Sequence, residues 1–363
     1  MRLAFVLTQL EAGGAQNQVF LAAAELRRRG HHVDVIFLYE KRACYEEEPK
    51  IVLGGSERPS RAQLPRLLWK CVMRIRSGDY DAVLSRTVPA SLLGLTAALC
   101  AGVKTRIAFM SYPPRELAGV VRVANRIAGS LGIYSYAVAN SAWSFREYEG
   151  YPHLFRRRLR LVPNCVALAE PSEVREDVRR RYGVLPGETL LVTVGRLTPS
   201  KDHATLLRAI ADLPVKLVIV GDGELRDSLV TEAEHLRVSS RVVFAGEISR
   251  PALSALLHSA NLFVFPSRYE TFGVAMVEAA AAGLPLIVSD IPVFREILED
   301  DGTGDGVEFV QVGSAEGFSR AVQAHVRDPE RRHSGAATSR RIAARYSVER
   351  HVDAIERLLR GSS

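Results

Sequence analysis

Continuous apolar runs, each followed by a stretch of helical length, recur along the chain and constrain its fold most strongly. Such runs predict strands buried on both faces, as in a parallel sheet covered by helices. In the first half the predicted strands are Leu3–Leu7, Val33–Leu38, Ala82–Ser85, Arg106–Phe109 and Ser135–Ala139. The second half repeats the pattern with Leu190–Val194, Leu217–Val220, Val242–Phe244, Leu262–Phe265 and Leu286–Val288. We therefore predict an α/β protein with two doubly wound parallel sheets.

The length of the chain agrees with two domains. A chain of 363 residues can form two domains that each bury a core of their own. The predicted join lies near Pro163–Pro171, where a strand gives way to a polar stretch. We predict a first domain over residues 1–167 and a second over 168–345. In doubly wound sheets, ligands bind outside the carboxyl ends of the strands, so these ends are where site residues are expected.

Composition predicts a globular protein of a reducing compartment. Hydrophobic residues make up 47% of the chain and charged residues 25%, which is typical of soluble domains. The four cysteines show no metal or redox spacing, which indicates free thiols: Cys44, Cys71, Cys100 and Cys165. The chain contains no run of eighteen apolar residues, and its first residues enter a predicted strand. We expect a cytoplasmic protein without a spanning helix or a signal peptide.

The net charge of +7 is unevenly distributed. Residues 1–168 hold 24 Lys and Arg against 13 Asp and Glu, whereas residues 169–363 hold 24 against 28. A basic first half indicates an anionic partner there. No nucleic-acid recognition motif accompanies the basic residues, so we expect no nucleic-acid partner and favour an anionic membrane surface, at the inner face of the membrane.

Residues 64–76 are the segment in which this membrane contact is predicted. On a helix, the apolar residues Leu68, Trp69, Val72 and Ile75 fall near one face, and the cations Arg66, Lys70 and Arg74 fall toward the other. This pattern is typical of a helix that lies in a bilayer interface. It is also compatible with a helix that packs on the core of the first sheet, and the sequence leaves both interpretations open.

Residues 266–290 carry the strongest functional signal. A strand, a short loop, a helix and a second strand follow one another here, with Glu270 in the loop and Glu278 about two turns inside the helix. The start of the helix offers amides for an anion such as a diphosphate, namely those of Thr271, Phe272 and Gly273. Carboxylates accept hydrogen bonds in pairs, which suits the vicinal hydroxyls of sugars. The segment therefore predicts a nucleotide-sugar site.

This segment resembles the Glu-x7-Glu signature of retaining glycosyltransferases of family 4, because Pro-Ser-x-x-Glu-x-Phe-Gly precedes Glu-Ala and Ala-Gly-x-Pro. The resemblance covers nearly the whole chain. It implies the GT-B fold, in which two Rossmann-like domains face each other. It also implies that the final helix, within residues 346–363, crosses back to the first domain.

Two further motifs follow predicted strands of the second half. Gly195 and Arg196 begin a loop that ends at Lys201, and two cations on one loop can bind one anion. The resemblance implies that Arg196 and Lys201 bind the donor diphosphate. Gly221 and Gly223 follow the next strand, where glycine permits a tight turn and close backbone approach. The resemblance places these two glycines along the nucleotide pocket, and a turn without ligand contact is the alternative.

The first half matches the family at its first loop and departs from it at a later one. Gly13 and Gly14 precede a predicted helix, and in the family this loop faces the donor phosphates. Many members carry a His after the fourth strand of the first domain. This chain has Ser111 and Tyr112 there instead, so these two residues are the candidate acceptor-side contacts.

The resemblance implies a metal-independent, retaining glycosyltransferase that needs no cofactor. The donor would be a UDP- or GDP-linked sugar, and the acceptor a glycan, a lipid-linked saccharide or a small molecule. Glu270, Arg196 and Lys201 would be catalytic, with Glu270 on the sugar hydroxyls and Glu278 on the ribose. Three alternatives remain: a hydrolase that uses both carboxylates, a nucleotide-sugar epimerase of the same fold, and a catalytically silent nucleotide-sugar-binding subunit.

Overall fold

A computed structural model describes residues 1–11, 13–42, 45–167, 170–171, 173–299 and 306–361. The chain divides into two compact units. The first unit is Met1–Cys165 together with the segment from Ser347 onward, and the second is Val166–Tyr346. The sequence placed the corresponding divisions after residue 167 and before residue 346.

The first unit contains a seven-stranded sheet in which every strand pair is parallel, in the order β3-β2-β1-β4-β5-β6-β7. Its strands are β1 Arg2–Leu10, β2 His32–Glu40, β3 Ile51–Val52, β4 Ala82–Arg86, β5 Thr105–Met110, β6 Tyr136–Ala139 and β7 Leu159–Leu161. The five predicted strands are present, and the short edge strands β3 and β7 were not predicted. The strand order reverses between β1 and β4, which makes this point the topological switch of the sheet.

Helices cover both faces of this sheet. They are α1 Gly14–Arg28, α2 Leu64–Gly78, α3 Val88–Ala90, α4 Thr96–Cys100, α5 Gly119–Ser130, α6 Ala142–Arg146 and α7 His153–Arg156. Helix α3 continues through the π-helical segment Ser91–Leu95 into α4, and short 3₁₀ turns occupy Arg61–Gln63 and Pro114–Glu116. Buried side chains of α2, α4, α5 and α7 share one core. Those of α1 share the other core with the final helix of the chain.

The amphipathic segment 64–76 lies in α2, and the structure shows the core-facing alternative. Leu67, Cys71 and Ile75 are buried in the core on that side of the sheet. The Lys70 ammonium donates to the Leu53 carbonyl over 2.9 Å. Arg74 forms a 2.7 Å ion pair with Asp34. Of the predicted membrane face, Ile75 is thus buried while Trp69 is exposed, and Lys70 and Arg74 have partners within the unit. A membrane contact through α2 stays a prediction.

The second unit contains a six-stranded parallel sheet in the order β10-β9-β8-β11-β12-β13. Its strands are β8 Thr189–Val194, β9 Val215–Val220, β10 Val242–Gly246, β11 Leu262–Phe265, β12 Leu286–Ser289 and β13 Val307–Val310. Five were predicted, and β13 was not. The order reverses between β8 and β11, so the switch point lies there. The prediction of two doubly wound, Rossmann-like parallel sheets is confirmed.

Helices again cover both faces of the second sheet. They are α8 Arg175–Arg181, α9 His203–Ala209, α10 Arg226–His235, α11 Arg250–Ser259, α12 Val274–Ala281, α13 Pro292–Leu298, α14 Ala315–Arg327 and α15 Pro329–Ala344. Turns of 3₁₀ helix occupy Pro199–Lys201 and Ser239–Arg241. The chain ends with α16 Val348–Leu359, whose apolar face packs in the core that also holds α1 of the first unit.

Two further predictions concern membrane-spanning helices and the cysteines. Within the described residues, no helix is both long enough and apolar enough to cross a bilayer. Three of the cysteines are free thiols, Cys71 and Cys165 in the interior and Cys100 at the surface. Cys44 lies outside the described residues.

Candidate functional site

The two loops at the switch point of the second sheet are joined to each other. One loop follows β8 and the other follows β11, and these strands are neighbours in the sheet. The Arg268 backbone N–H donates to the Ser200 carbonyl over 2.8 Å. The Arg268 guanidinium also forms a 2.9 Å ion pair with Asp202. These links hold the loops together at the place where ligands bind in this class of sheet.

Between these loops the structure brings together two residues that were predicted to be catalytic. The Lys201 ammonium donates to Glu270 Oε1, and both side chains are partly buried. The Ser267 hydroxyl lies 3.4 Å from the same oxygen. Lys201 also lies 5.2 Å from the centroid of the Phe265 ring, within range of a cation–π interaction. The pair is thus held in place from both loops, yet it remains in reach of a ligand.

Arg196, the third predicted catalytic residue, stands in the loop after β8 with an exposed side chain. Among the residues that the structure describes, its guanidinium forms no ion pair. The two cations of this loop therefore differ, since Lys201 already has a carboxylate partner. No group of three or more His, Cys, Asp or Glu side chains that could hold a metal ion occurs in the described part of the chain.

Helix α12 begins later than the sequence predicted. Its first residue is Val274 and its N-cap is Gly273, so Thr271 and Phe272 precede the helix. The unpaired amides that a helix start provides therefore belong to the residues from Gly273 onward rather than to Thr271 and Phe272. Glu278 consequently lies about one turn inside the helix and not two.

Two of the residues in this loop are fixed by packing. Gly273 has a φ of +85°, and an added Cβ would lie 2.9 Å from the Phe294 ring, so only glycine fits without strain. The Phe272 side chain is buried and contacts Tyr346 edge-on, with ring centroids 5.1 Å apart. Any role of these two residues in donor binding must therefore come from their backbone.

Glu278 is a buried carboxylate with an arginine partner that the sequence did not reveal. Only 3% of its side chain is exposed, and Arg250 donates to its Oε1 over 2.6 Å. Burial raises the pKa of Glu278, and the Arg250 guanidinium opposes that shift. Because an unpaired buried charge is costly, the Arg250 guanidinium favours the charged form of this carboxylate. One signal could have identified Arg250: it follows the loop Glu247–Ser249 at the carboxyl end of β10.

The glycines predicted around the nucleotide are required by the packing of neighbouring loops. Gly221 has a φ of +127°, and an added Cβ would overlap the Gly195 carbonyl oxygen. An added Cβ at Gly223 would lie 2.6 Å from the Leu197 carbonyl oxygen. The Leu197 N–H donates to the Asp222 carbonyl over 3.0 Å. Turn geometry and close loop packing thus account for these glycines, and their contact with a donor stays a prediction.

His203, the first residue of α9, is a buried histidine beside the Lys201 loop that the sequence analysis did not single out. Neither ring nitrogen has a hydrogen-bond partner among the described residues. Burial, and next the charge of Lys201, lower the pKa of His203 to about 4. The ring is therefore neutral at neutral pH.

The residues predicted in the first unit also lie at carboxyl ends of strands. Gly13 is the N-cap of α1, and Gly14 is its first residue. Ser111 and Tyr112 follow β5 directly, with Ser111 partly buried and Tyr112 exposed. The Tyr112 carbonyl accepts a 3.1 Å hydrogen bond from the Tyr148 hydroxyl, which fixes the backbone of this loop.

The fold is that of the GT-B class of glycosyltransferases. The solved structure of HepE from Anabaena, in complex with UDP and glucose, superposes with a TM-score of 0.85 and 21% identity over 99% of this chain and 100% of HepE. The family model for glycosyl transferases group 1 matches residues 174–360, and that for glycosyltransferase family 4 matches residues 12–170. Because the first of these models matches more than half of the chain, the chain belongs to the family of glycosyl transferases group 1.

Curated relatives in the same family match parts of the chain. A glycosyltransferase of Methanocaldococcus jannaschii is 38% identical over 136 residues, which is 36% of this chain and 35% of the relative. The lipopolysaccharide core biosynthesis glycosyltransferase LpsE of Rhizobium meliloti is 31% identical over 209 residues, 56% of this chain and 58% of the relative. The chain thus spans less than two thirds of the length of either relative.

Proposed function

We propose that the chain is a retaining glycosyltransferase that takes a sugar from a nucleotide-diphosphate donor. The observation that carries this proposal is the Lys201–Glu270 pair, which joins the two loops at the switch point of the second sheet. HepE was solved with UDP and glucose, which supports UDP as the first nucleotide to test and GDP as the second. Family membership supports sugar transfer as the reaction.

Donor binding would divide the Lys201–Glu270 pair between two partners. The diphosphate oxygens would take hydrogen bonds from the Lys201 ammonium and from the Arg196 guanidinium. The unpaired amides at the start of α12, from Gly273 onward, would add to this anion site. Glu270, relieved of its cation, would accept hydrogen bonds from sugar hydroxyls and so orient the anomeric carbon.

Glu278 would hold the ribose. Arg250 occupies one of its carboxylate oxygens, Oε1, which leaves Oε2 to accept hydrogen bonds from the ribose hydroxyls. A charged carboxylate accepts hydrogen bonds from hydroxyls more strongly than a neutral carboxyl does. Because Arg250 favours the charged form of Glu278, its guanidinium would affect the ligand through Glu278. Arg250 is therefore a positioning residue for the nucleotide.

The reaction we propose occurs on one face of the sugar. The acceptor hydroxyl oxygen bonds to the anomeric carbon while the bond from that carbon to the phosphate oxygen breaks. The acceptor proton passes to the departing phosphate oxygen, so configuration is retained without a protein nucleophile. Negative charge that builds on the diphosphate is stabilised by Arg196 and Lys201. We propose that these cations do the work of a divalent metal and that no cofactor takes part.

The proposed acceptor contacts lie in the first unit. Ser111 and Tyr112 at the end of β5 are the proposed contacts there, and Gly13 and Gly14 stay predicted contacts of the donor phosphates. A glycan, a lipid-linked saccharide and a small molecule remain the acceptor classes to test.

The first experiment is a thermal-shift screen against UDP- and GDP-linked sugars, because a ligand that binds the folded state raises the apparent melting temperature. The preferred donor is then incubated with candidate acceptors, and the anomeric configuration of the product is read by NMR. We expect retention, and activity that survives EDTA. Donor conversion without an acceptor would establish the epimerase instead. Cleavage of a simple glycoside without nucleotide would establish the hydrolase. Binding of a nucleotide sugar without formation of any product would establish the silent subunit.

A further inference from the structure

Helix α5 of the first unit exposes a stripe of large apolar side chains. Val120 and Leu131 are 85% and 76% exposed, and Val123 and Ile127 are exposed between them. Their spacing of three and four residues places all of them on one side of the helix and its first following turn. The opposite side of α5 is buried, with residues such as Asn125 and Ala128.

Helix α7 extends this exposed surface. It packs against the last turn of α5, where the Phe155 ring lies so close to Gly129 that an added Cβ would overlap it. The Leu154 side chain, next to Phe155, is exposed. Arg156 and Arg157 at the end of α7 are exposed as well. We define the α5–α7 face by the exposed side chains of these two helices and of Leu131.

The charge on this face has a single sign. Arg122 and Arg126 are exposed beside the apolar stripe of α5. The sequence contains no Asp or Glu between residues 117 and 146, and none between residues 150 and 169. An apolar stripe flanked by cations and without carboxylates is complementary to a surface that is anionic outside and apolar beneath.

We propose that the α5–α7 face binds the surface of an anionic phospholipid bilayer, with the apolar stripe at the acyl boundary and the arginines among the headgroups. A second copy of the chain fits less well, because a symmetric contact would bring the arginines of both copies together. Helix α2 also fits less well, because its Lys70 and Arg74 are engaged within the unit.

This inference rests on the surface of the first unit and not on the donor site of the second. It sharpens the proposed function in one respect, since a membrane-bound enzyme meets lipid-linked acceptors. Binding of UDP, measured on every variant below, separates failure of the membrane proposal from failure of the donor proposal.

The test is sedimentation of the full chain with vesicles of phosphatidylglycerol and phosphatidylcholine in equal parts, at low and high salt. We expect binding at low salt that weakens as salt screens it, and little binding to phosphatidylcholine alone. Combining Ile127→Asp with Leu131→Asp should lower the partition coefficient by about tenfold or more, and so should combining Arg122→Glu with Arg126→Glu. The matched control is Leu185→Asp, an apolar residue 67% exposed in the second unit, which should change nothing.

Three results would overturn the proposal. The first is a chain that fails to sediment with the anionic vesicles at low salt. The second is an equal loss in Leu185→Asp, or a loss in Trp69→Asp on α2 without one in the α5 variants. The third is a dimer in sedimentation velocity that the α5 variants dissociate, which would assign the face to a second copy. Each variant must match the native chain in its circular dichroism and its UDP binding. If the combined Ile127→Asp and Leu131→Asp variant fails to fold, Ile127→Ser replaces it.

Discussion

The two units share a sheet topology but differ in the charges at its carboxyl edge. In the second unit, the switch point carries the Lys201–Glu270 pair, and the Arg250–Glu278 pair lies nearby on α11 and α12. In the first unit, the corresponding edge carries the Glu11–Lys41 ion pair after β1 and β2, whereas the predicted residues Ser111 and Tyr112 after β5 are uncharged. The fold therefore provides the edge, and loop residues decide what it binds.

A buried arginine sharpens this comparison. Arg86 ends β4 at the switch point of the first sheet, donates to the Asn164 side chain and lies 5.0 Å from the Phe109 ring centroid. Burial lowers the pKa of Arg86 to about 10. Its neighbours are neutral and it is almost inaccessible, whereas Lys201 is partly exposed. We therefore assign Arg86 to the structure of the first unit and propose that Lys201 binds a ligand in the second.

The largest expected effect is on turnover. Lys201→Ala and Arg196→Ala should each lower turnover by about 10²–10³, because each removes a preorganised cation from the departing diphosphate. The measurement is the steady-state rate with the preferred donor. Arg208→Ala, which removes a surface cation paired with Glu232 in the same unit, is the control and should retain full activity. Near-normal rates in both site variants would disprove the proposed binding of the diphosphate by Lys201 and Arg196.

Glu270 and Glu278 should differ in how much they contribute to UDP binding. Glu278→Ala should weaken binding of free UDP by about tenfold or more, because it loses charged hydrogen bonds to the ribose. Glu270→Ala should bind UDP nearly as the native chain does and yet fail to transfer, because its partner is the sugar. Calorimetry with UDP on both variants decides this. An equal loss in both would contradict the division of roles.

The buried histidines should make stability depend on pH in both units. The pKa of His203 falls to about 4 and that of His351, in the first unit, to about 3, with burial as the main cause. The unfolded chain binds these protons first, so stability present above about pH 6.5 is lost as pH falls toward those values. His203 alone should cost about 2 kcal/mol between pH 7 and pH 5.

Urea unfolding of the native chain and of His203→Gln at these two pH values measures this contribution. The variant should lose less stability on acidification than the native chain does. Equal losses would mean that the His203 ring is not neutral and buried as described. His351→Gln provides the matched comparison in the first unit.

The smallest expected effect tests how Arg250 acts. In Arg250→Met, burial of Glu278 is no longer opposed, so the pKa of that carboxyl rises further. UDP affinity should then fall as pH decreases, since a protonated carboxyl is a weaker hydrogen-bond acceptor than a carboxylate. Besides Arg250, the cations near the end of the neighbouring helix α15 are Arg340 and Arg341, and Arg345 just beyond that helix is bonded to the Ile297 and Glu299 carbonyls. In Arg250→Lys, UDP affinity should again be independent of pH. A UDP affinity that does not change with pH in Arg250→Met would show that the guanidinium does not set the charge of Glu278.

Sequence patterns predicted the sheets because their central strands are long apolar runs. The edge strands β3 and β7 are only two and three residues long, too short to show a pattern, and the four residues of β13 include Glu308, so they do not form a continuous apolar run. Glu270 and Lys201 were predicted as site residues, but their direct contact spans 69 positions and depends on the strand order. Arg250 was missed for the same reason, since its partner Glu278 lies 28 positions away. Spacing along one helix or strand can be read from the sequence, whereas pairing between residues of different elements cannot.

The central claim is that the charged carboxyl edge of the second unit binds the nucleotide. Hydrogen–deuterium exchange of the full chain with and without UDP tests it most directly. We predict that UDP slows exchange in the loops after β8 and β11 and at the starts of α11 and α12. Slowed exchange confined to the first unit, with these four segments unchanged while calorimetry records binding, would contradict the account.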